Sequence, residues 1–188
     1  MTVPLLPAIV SVLWGISELG LILTKRAKSN AASKDRHSLV VIWIVYPLAV
    51  WFGIYAMFAV RAWTFPKPDF FSVLGLGVFL LGQTLRWYSI IYLGRFFTAN
   101  VAITAGHRLI ESGPYRLVRH PSYTGGLLAV FGFALSLANL ASMLIIIVPT
   151  FTVHLWRMGI EEKALVEAFG DEYRSYMGRT KRLIPLIY

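Results

Sequence analysis

The sequence predicts an all-α integral membrane bundle of five transmembrane helices with a C-terminal amphipathic helix and a cytoplasmic loop that binds a cofactor. Of its 188 residues, 57% are hydrophobic and only 14% are charged, whereas a soluble domain carries about 25% charged residues. Several apolar stretches approach the roughly 20 residues that a helix needs to cross a bilayer. Basic residues collect in alternate connections between these stretches. We therefore expect a single membrane domain over residues 1–188.

Five apolar stretches divide the chain into four regions, 1–92, 93–120, 121–157 and 158–188. In chain order the stretches are Pro4–Thr24, Leu39–Arg61, Phe70–Tyr92, Pro121–Ala138 and Leu140–Trp156. The first three make residues 1–92 a group of three transmembrane helices, and residues 93–120 form a loop. The last two are short and only Asn139 separates them, so residues 121–157 are predicted to form a tight helical hairpin.

The basic residues predict the orientation in the membrane. They concentrate in the first connection, in the loop 93–120 and after Trp156, while the other turns are nearly free of them. With five crossings these three segments fall on one side, which the positive-inside rule makes cytoplasmic. The amino terminus is then expected outside. The formal net charge of +9 thus indicates contact with the lipid bilayer, and we expect no nucleic-acid partner.

The residue types also limit the chemistry. Cysteine is absent, which excludes disulfides and thiolate nucleophiles. The four histidines, His37, His107, His120 and His154, lack the spacing of metal ligands, so no metal is expected. His154 lies inside an apolar stretch and is interpreted as a hydrogen-bonded core histidine.

The tail, residues 158–188, mixes charged residues with apolar residues at helical spacing. The apolar positions include Leu165, Ala168, Phe169, Tyr173, Tyr176 and Met177. Gly170 is expected to interrupt the helix or to kink it. Two interpretations remain open: an amphipathic helix on the membrane surface, or a lid over a site.

Two charged residues lie inside predicted spans. Glu18 and Arg86 are each about six residues from the cytoplasmic end of their span, which is roughly 9 Å along a helix. Ionisable groups inside a membrane usually face the bundle interior and pair. We therefore predict that Glu18 and Arg86 pair with each other.

A polar cluster, GPYRLVRHPSY, begins the predicted hairpin. Pro121 suits the first turn of a helix, which puts His120 at or near its cap. Free backbone N–H groups there favour an anion, Arg119 adds positive charge, and Tyr123 adds a donor. Alternatively, Arg119 anchors the helix at lipid phosphates and His120 only caps it.

A second polar cluster lies where the last apolar stretch ends. Arg157 and Glu161 are four residues apart, so they share a helix face. They form either an ordinary interfacial salt bridge or an anion-binding arginine held by a carboxylate. Glu162 points elsewhere and is available to a cation or a hydroxyl. Because a hairpin returns to its starting side, His120 and Glu161 are expected to be neighbours.

Two segments, GHRLIESGPYRLVRHPSYTGG and RMGIEEKALVEAFGDEYRSYMGRTKRLIP, resemble the isoprenylcysteine carboxyl methyltransferase family. The resemblance covers roughly residues 93–185. It implies an enzyme that uses S-adenosylmethionine to methylate a prenylcysteine-like or other lipophilic carboxylate. Phospholipid N-methyltransferases and small-thiol S-methyltransferases look similar in this region, so these remain alternatives. A membrane scaffold or transporter, with Glu18 and Arg86 as its core, is the non-enzymatic alternative.

The resemblance also implies roles for individual residues. Arg157 and Glu161 would be catalytic, with Arg157 binding the substrate carboxylate and Glu161 also contacting the cofactor. Acceptors for the cofactor's ammonium would be Glu161 or Glu162, and donors for its carboxylate would lie at the helix entrance beside Arg119. The other cofactor contacts would be Asn100, His107, Arg108, Leu109, Ile110, Tyr115, His120, Pro121, Ser122 and Tyr123.

The acceptor chemistry favours a carboxylate. An α-carboxyl group has a pKa near 3.5 and is ionised at pH 7, so its methylation needs no general base. An amine acceptor must lose a proton, and among the loop residues only His107 is a candidate for that base.

Overall fold

The computed structural model describes residues 12, 14–21, 36–97 and 108–188, and these residues contain helices but no β-strand. The all-α prediction is therefore confirmed for the described part of the chain. We number the helices in chain order: α1 (14–21), α2 (Arg36–Ala59), α3 (Pro68–Leu93), α4 (Pro121–Ser136), α5 (Leu140–Phe169) and α6 (Asp171–Arg179).

Three of the described segments are long and apolar enough to cross a membrane: Ser38–Ala59, Pro68–Phe96 and Leu140–Phe169. They correspond to the second, third and fifth predicted spans. Helix α4 has 16 residues, which is about 24 Å of helix and less than the roughly 30 Å of a hydrocarbon core. Most of the first predicted span lies outside the described residues. The count of five crossings and the sidedness therefore stay predictions.

The helical hairpin is present, and Asn139 organises its turn. The buried Asn139 side chain accepts a hydrogen bond from the Ser142 backbone N–H at 3.0 Å, which caps α5, and it donates to the Val60 carbonyl at 3.0 Å. The side chain of one residue thus joins the start of α5 to the end of α2.

The predicted division after residue 157 does not coincide with the end of a helix. Helix α5 continues without a break to Phe169, because the residues after Arg157 are mostly strong helix formers. The break comes at Gly170, with a φ of 55°, as expected for a glycine at a helix C-terminus. The tail is therefore not one amphipathic helix: it comprises the end of α5, the nine-residue α6 and an irregular segment up to Tyr188.

Helices α3 and α4 approach each other through glycines. A Cβ added to Gly82 would lie 2.3 Å from the Ala129 nitrogen, and one added to Gly132 would lie 2.2 Å from the Phe79 nitrogen. Gly75 and Gly125 are equally tight. Small residues at such positions let membrane helices bring their backbones into contact. This contact fixes the position of α4, whose first turn contains the last residues of the polar cluster GPYRLVRHPSY.

The apolar core lies where α2, α3, α4 and α5 meet. Its buried members are Phe79, Ala129, Val130, Phe133, Ala134, Leu137 and Ile146, and Trp14 of α1 packs against them.

We predict that Gly82→Ala destabilises the protein, because the added methyl group would collide with the backbone of α4. Overpacking of this kind costs about 1–3 kcal/mol. In thermal unfolding of the detergent-solubilised protein, the midpoint should fall by roughly 3–10 °C.

Gly77→Ala is the matched control for this variant. A Cβ at Gly77 meets nothing within 4 Å, so this variant should unfold at or slightly above the temperature of the unmodified protein. Equal midpoints for the two variants would contradict the close contact between α3 and α4.

Candidate active site

A cavity of about 470 Å³ lies among the ends of the helices, within the range typical of small-molecule sites. The segment from Arg108 to Tyr115, the first turn of α4, the last half of α5 and the helix α6 surround its polar part. Apolar side chains of α2 and α4, such as Leu39, Trp43 and Phe133, line the remainder.

Most predicted site residues line this one cavity, although they come from distant parts of the chain. They are Arg108, Leu109, Ile110, Tyr115, Arg119, His120, Ser122, Tyr123, Arg157 and Glu161. The expected convergence of the two polar clusters is therefore confirmed. Pro121 and Glu162 are absent from its described lining, and Asn100 and His107 lie outside the described residues.

The Tyr123 hydroxyl bridges Arg157 and Glu161. The Arg157 Nε donates to this hydroxyl at 2.8 Å, and the hydroxyl donates to the Glu161 Oε2 at 2.8 Å. A second guanidinium nitrogen, Nη1, donates to the Ser38 Oγ at 2.6 Å. Arg157 is only 4% exposed. These bonds hold a buried guanidinium in a fixed orientation beside a carboxylate, in the wall of the cavity.

Glu162 binds the protein's own cationic side chains. Its Oε1 accepts from the Arg119 Nε at 2.9 Å and lies 3.3 Å from the His120 Nε2. Its Oε2 accepts from the Arg182 Nε at 2.9 Å and Nη2 at 2.6 Å. The prediction that Glu162 points away from Arg157 toward a cation agrees with these contacts. Since both oxygens are occupied and buried, Glu162 is a link between segments of the protein.

Arg119 and His120 also make contacts that neither sequence interpretation included. Besides Glu162, Arg119 binds the backbone carbonyls of Met177 and Thr180, so it holds the C-terminal segment. His120 is the N-cap residue of α4, as predicted, but its side chain makes no capping hydrogen bond. Both residues also line the cavity.

A second polar group lines the cavity within the apolar part of the bundle. The Arg86 Nε and Nη2 each donate to a different oxygen of Glu18 at 2.8 Å, so the predicted pair is confirmed as bidentate. His154 is buried, and its Nδ1 lies 2.9 Å from the Thr150 carbonyl. The Tyr46 hydroxyl lies 3.2 Å from its Nε2. His154 is thus a satisfied core histidine, as predicted.

Helix α6 turns two tyrosines toward the cavity. Tyr173 and Tyr176 are both buried and both line it, and the Tyr176 hydroxyl donates to the Tyr115 carbonyl at 2.5 Å. Burial raises the pKa of Tyr176 to about 12, and it also raises the pKa of Tyr115 and Tyr173. All three phenols are therefore neutral near pH 7. Of the two interpretations of the tail, a cover over the site fits these contacts.

The fold and the site define an integral membrane protein with a cavity that is polar near the helix ends and apolar within the bundle. A family model described as phospholipid methyltransferase matches residues 70–172, and the chain belongs to this family. The matched range contains α3, α4, α5 and the first residues of α6.

The similar curated proteins carry a more specific name. A probable protein-S-isoprenylcysteine O-methyltransferase of Oryza sativa is 34% identical over 63% of this chain and 63% of its own length. The Schizosaccharomyces pombe protein-S-isoprenylcysteine O-methyltransferase is 36% identical over 62% of this chain and 50% of its own length. The chain thus spans half to two thirds of the length of these relatives.

A solved structure agrees with these matches. The eukaryotic intramembrane Ras methyltransferase, an isoprenylcysteine carboxyl methyltransferase, aligns with a TM-score of 0.59 and 28% identity, over 80% of this chain and 51% of its own. The resemblance read from the sequence is therefore confirmed at the level of the family and the membrane fold.

We predict that Glu162→Gln destabilises the protein and loosens its C-terminal segment. Glutamine keeps the shape of the side chain but leaves Arg119 and Arg182 without their counter-charge. Breaking a buried ion pair in this way costs about 3–5 kcal/mol. Thermal unfolding should shift to lower temperature, and limited proteolysis should cut more rapidly after Arg179.

Glu172→Gln is the control, since it removes an exposed carboxylate and should change stability by less than about 0.5 kcal/mol. If the two variants were equally stable, Glu162 would not be the link we describe.

Proposed function

We propose that this chain is an S-adenosylmethionine-dependent carboxyl O-methyltransferase that acts on a prenylcysteine-like or other lipophilic carboxylate at the membrane. One observation carries the proposal: the Tyr123 hydroxyl holds Arg157 beside Glu161 in a cavity whose lining is otherwise largely apolar toward α2 and α4. The names of the relatives, protein-S-isoprenylcysteine O-methyltransferase, support the same reaction.

Arg157 binds and orients the substrate carboxylate in this proposal. A guanidinium recognises a carboxylate through paired N–H donors, which fixes its direction as well as its charge. The carboxylate is already ionised at pH 7, so no residue of the site has to remove a proton. The protein contributes by orienting the substrates. Precise alignment of the reacting groups can lower the activation free energy by roughly 7–11 kcal/mol.

The cavity suits the methyl donor in size and chemistry. S-adenosylmethionine supplies a methyl group on a sulfonium, next to an amino acid and an adenosine. Glu161 offers an acceptor for the ammonium group. Arg108, Leu109, Ile110, Tyr115, Arg119, His120, Ser122 and Tyr123 would surround the rest of the molecule. Pro121 would contribute indirectly, because it forms the first turn of α4. Asn100 and His107 remain proposed contacts and lie outside the described residues.

The apolar walls suit the tail of the acceptor. Leu39, Trp43 and Phe133 line the cavity, and Leu39 and Trp43 belong to α2, an apolar helix long enough to span the membrane. A prenyl or acyl chain could stay among these side chains while its carboxylate reaches Arg157. The site then lies at the cytoplasmic surface, with the loop 93–120 and the C-terminus on that side and the amino terminus outside.

A phospholipid amine is the second candidate acceptor, because the family model that matches is described as phospholipid methyltransferase. This reaction needs a base to accept the amine proton. The two described histidines of the cavity, His120 and His154, already contact Glu162 and Tyr46. A carboxylate, which needs no base, therefore fits the described site better.

The acceptor is tested by methyl-transfer assays on the purified protein with a prenylcysteine, a fatty acid, a small thiol and a phosphatidylethanolamine. We expect turnover with the prenylcysteine or the fatty acid. Turnover with the phospholipid alone would overturn the carboxylate proposal in favour of the second candidate. If the protein also failed to bind S-adenosylhomocysteine, the non-enzymatic alternative would replace both.

We predict that Arg157→Ala abolishes most methyl transfer, with a loss of about 30-fold or more, as expected for removal of a buried charged partner. Affinity for S-adenosylhomocysteine, measured by calorimetry, should change by less than about threefold, since Arg157 is assigned to the acceptor. Arg174→Ala is the control, because Arg174 is an exposed arginine paired with Asp171. Loss of cofactor binding in Arg157→Ala would reverse the assignment.

We predict that Tyr123→Phe lowers methyl transfer by about tenfold, because the Arg157 Nε and Glu161 Oε2 would lose their common partner. The effect should exceed that of Tyr88→Phe, a change at an exposed tyrosine of α3. Initial rates at saturating donor measure the difference, and equal rates would show that the bridge has no role in turnover.

A further inference from the structure

The hydroxyl of Tyr173 is an exception among the tyrosines of the cavity. The hydroxyls of Tyr46, Tyr115, Tyr123 and Tyr176 each have a hydrogen-bond partner. Tyr173 is 1% exposed, and its buried hydroxyl has no hydrogen-bond partner among the residues that the structure describes. Buried polar groups are nearly always paired in native proteins, so such an exception calls for an explanation.

The surroundings of Tyr173 point to a ligand. Tyr173 lines the same cavity as Glu161 and Arg119, and these residues, together with Glu162, influence the pKa of its phenol. The hydroxyl therefore lies close to the polar part of the cavity. Burial, followed by the two carboxylates, raises its pKa, so the phenol keeps its proton and can donate a hydrogen bond.

The ring of Tyr173 is held in place by its neighbours. It packs edge-on against Tyr176, with ring centroids 5.8 Å apart, and the Tyr176 hydroxyl is fixed on the Tyr115 carbonyl. The ion pairs of Glu162 hold the segment that follows α6. An unpaired donor on a fixed wall can bind a ligand without first giving up another hydrogen bond.

We propose that the Tyr173 hydroxyl hydrogen-bonds to the methyl donor and is a further cofactor-binding residue of this site. The inference rests on the proposed function, because it assumes that S-adenosylmethionine occupies the cavity. The donor is a better match than the lipophilic acceptor, since Tyr173 adjoins the polar wall made by Glu161 and Arg119. The apolar walls of α2 and α4 suit the acceptor's tail.

The test is Tyr173→Phe, which removes only the hydroxyl. Calorimetric titration of the detergent-solubilised protein with S-adenosylhomocysteine should show affinity about tenfold weaker, as expected for one lost hydrogen bond. The unfolding temperature of the ligand-free variant should be unchanged or higher, because the hydroxyl has no partner to lose.

Tyr176→Phe is the matched control, as it removes a hydroxyl from the same helix and the same wall. That hydroxyl is bonded to the Tyr115 carbonyl, so the ligand-free variant should unfold at a lower temperature. Tyr176→Phe should therefore be the less stable of the two variants, whereas Tyr173→Phe should show the larger loss of affinity without any loss of stability.

A second titration with 5′-methylthioadenosine, which lacks the amino-acid moiety, locates the contact. Weakening of both ligands by Tyr173→Phe assigns it to the adenosine, and weakening of S-adenosylhomocysteine alone assigns it to the amino acid; either supports the proposal. Unchanged affinity for S-adenosylhomocysteine, or a lower unfolding temperature of the ligand-free variant, would overturn it. If the unmodified protein failed to bind S-adenosylhomocysteine, the proposed function itself would fail with it.

Discussion

The carboxylate of Glu162 joins three parts of the chain that form the site. It belongs to α5, it accepts from Arg119 at the entrance of α4, and it accepts from Arg182 in the C-terminal segment. Charges buried from water interact strongly and are costly when unpaired. Glu162 therefore links the start of α4 and the segment after α6 to α5, and it acts together with the backbone hydrogen bonds that join the Arg119 and His120 N–H groups to the Lys181 and Arg182 carbonyls.

The cavity contains two polar groups of different character. Near the helix ends, the Tyr123 hydroxyl bridges Arg157 and Glu161 and orients both side chains. Within the bundle, Arg86 and Glu18 satisfy each other, which lets these charged side chains lie among apolar helices. In the proposed function, the charges near the helix ends are the groups that recognise the ligands.

Local patterns in the sequence predicted the features that depend on hydropathy and helical spacing. The hairpin at Asn139, the Glu18–Arg86 pair and the convergence of the two polar clusters follow from span lengths and depth. The full length of α5 does not follow from hydropathy, because the charged residues after Arg157 end the apolar stretch without ending the helix. The partners of Glu162 were missed because they lie 20 to 43 positions away, where spacing carries no information.

The glycine contact between α3 and α4 limits how this protein can move. Where two helical backbones touch without intervening side chains, one cannot slide or roll past the other unless the whole contact separates. The two helices are therefore expected to move as one rigid unit, which includes Arg86 of α3 and the start of the hairpin in α4. The segment that follows α6 belongs to the same unit, because backbone hydrogen bonds from the Arg119 and His120 N–H groups to the Lys181 and Arg182 carbonyls tie it to the start of α4.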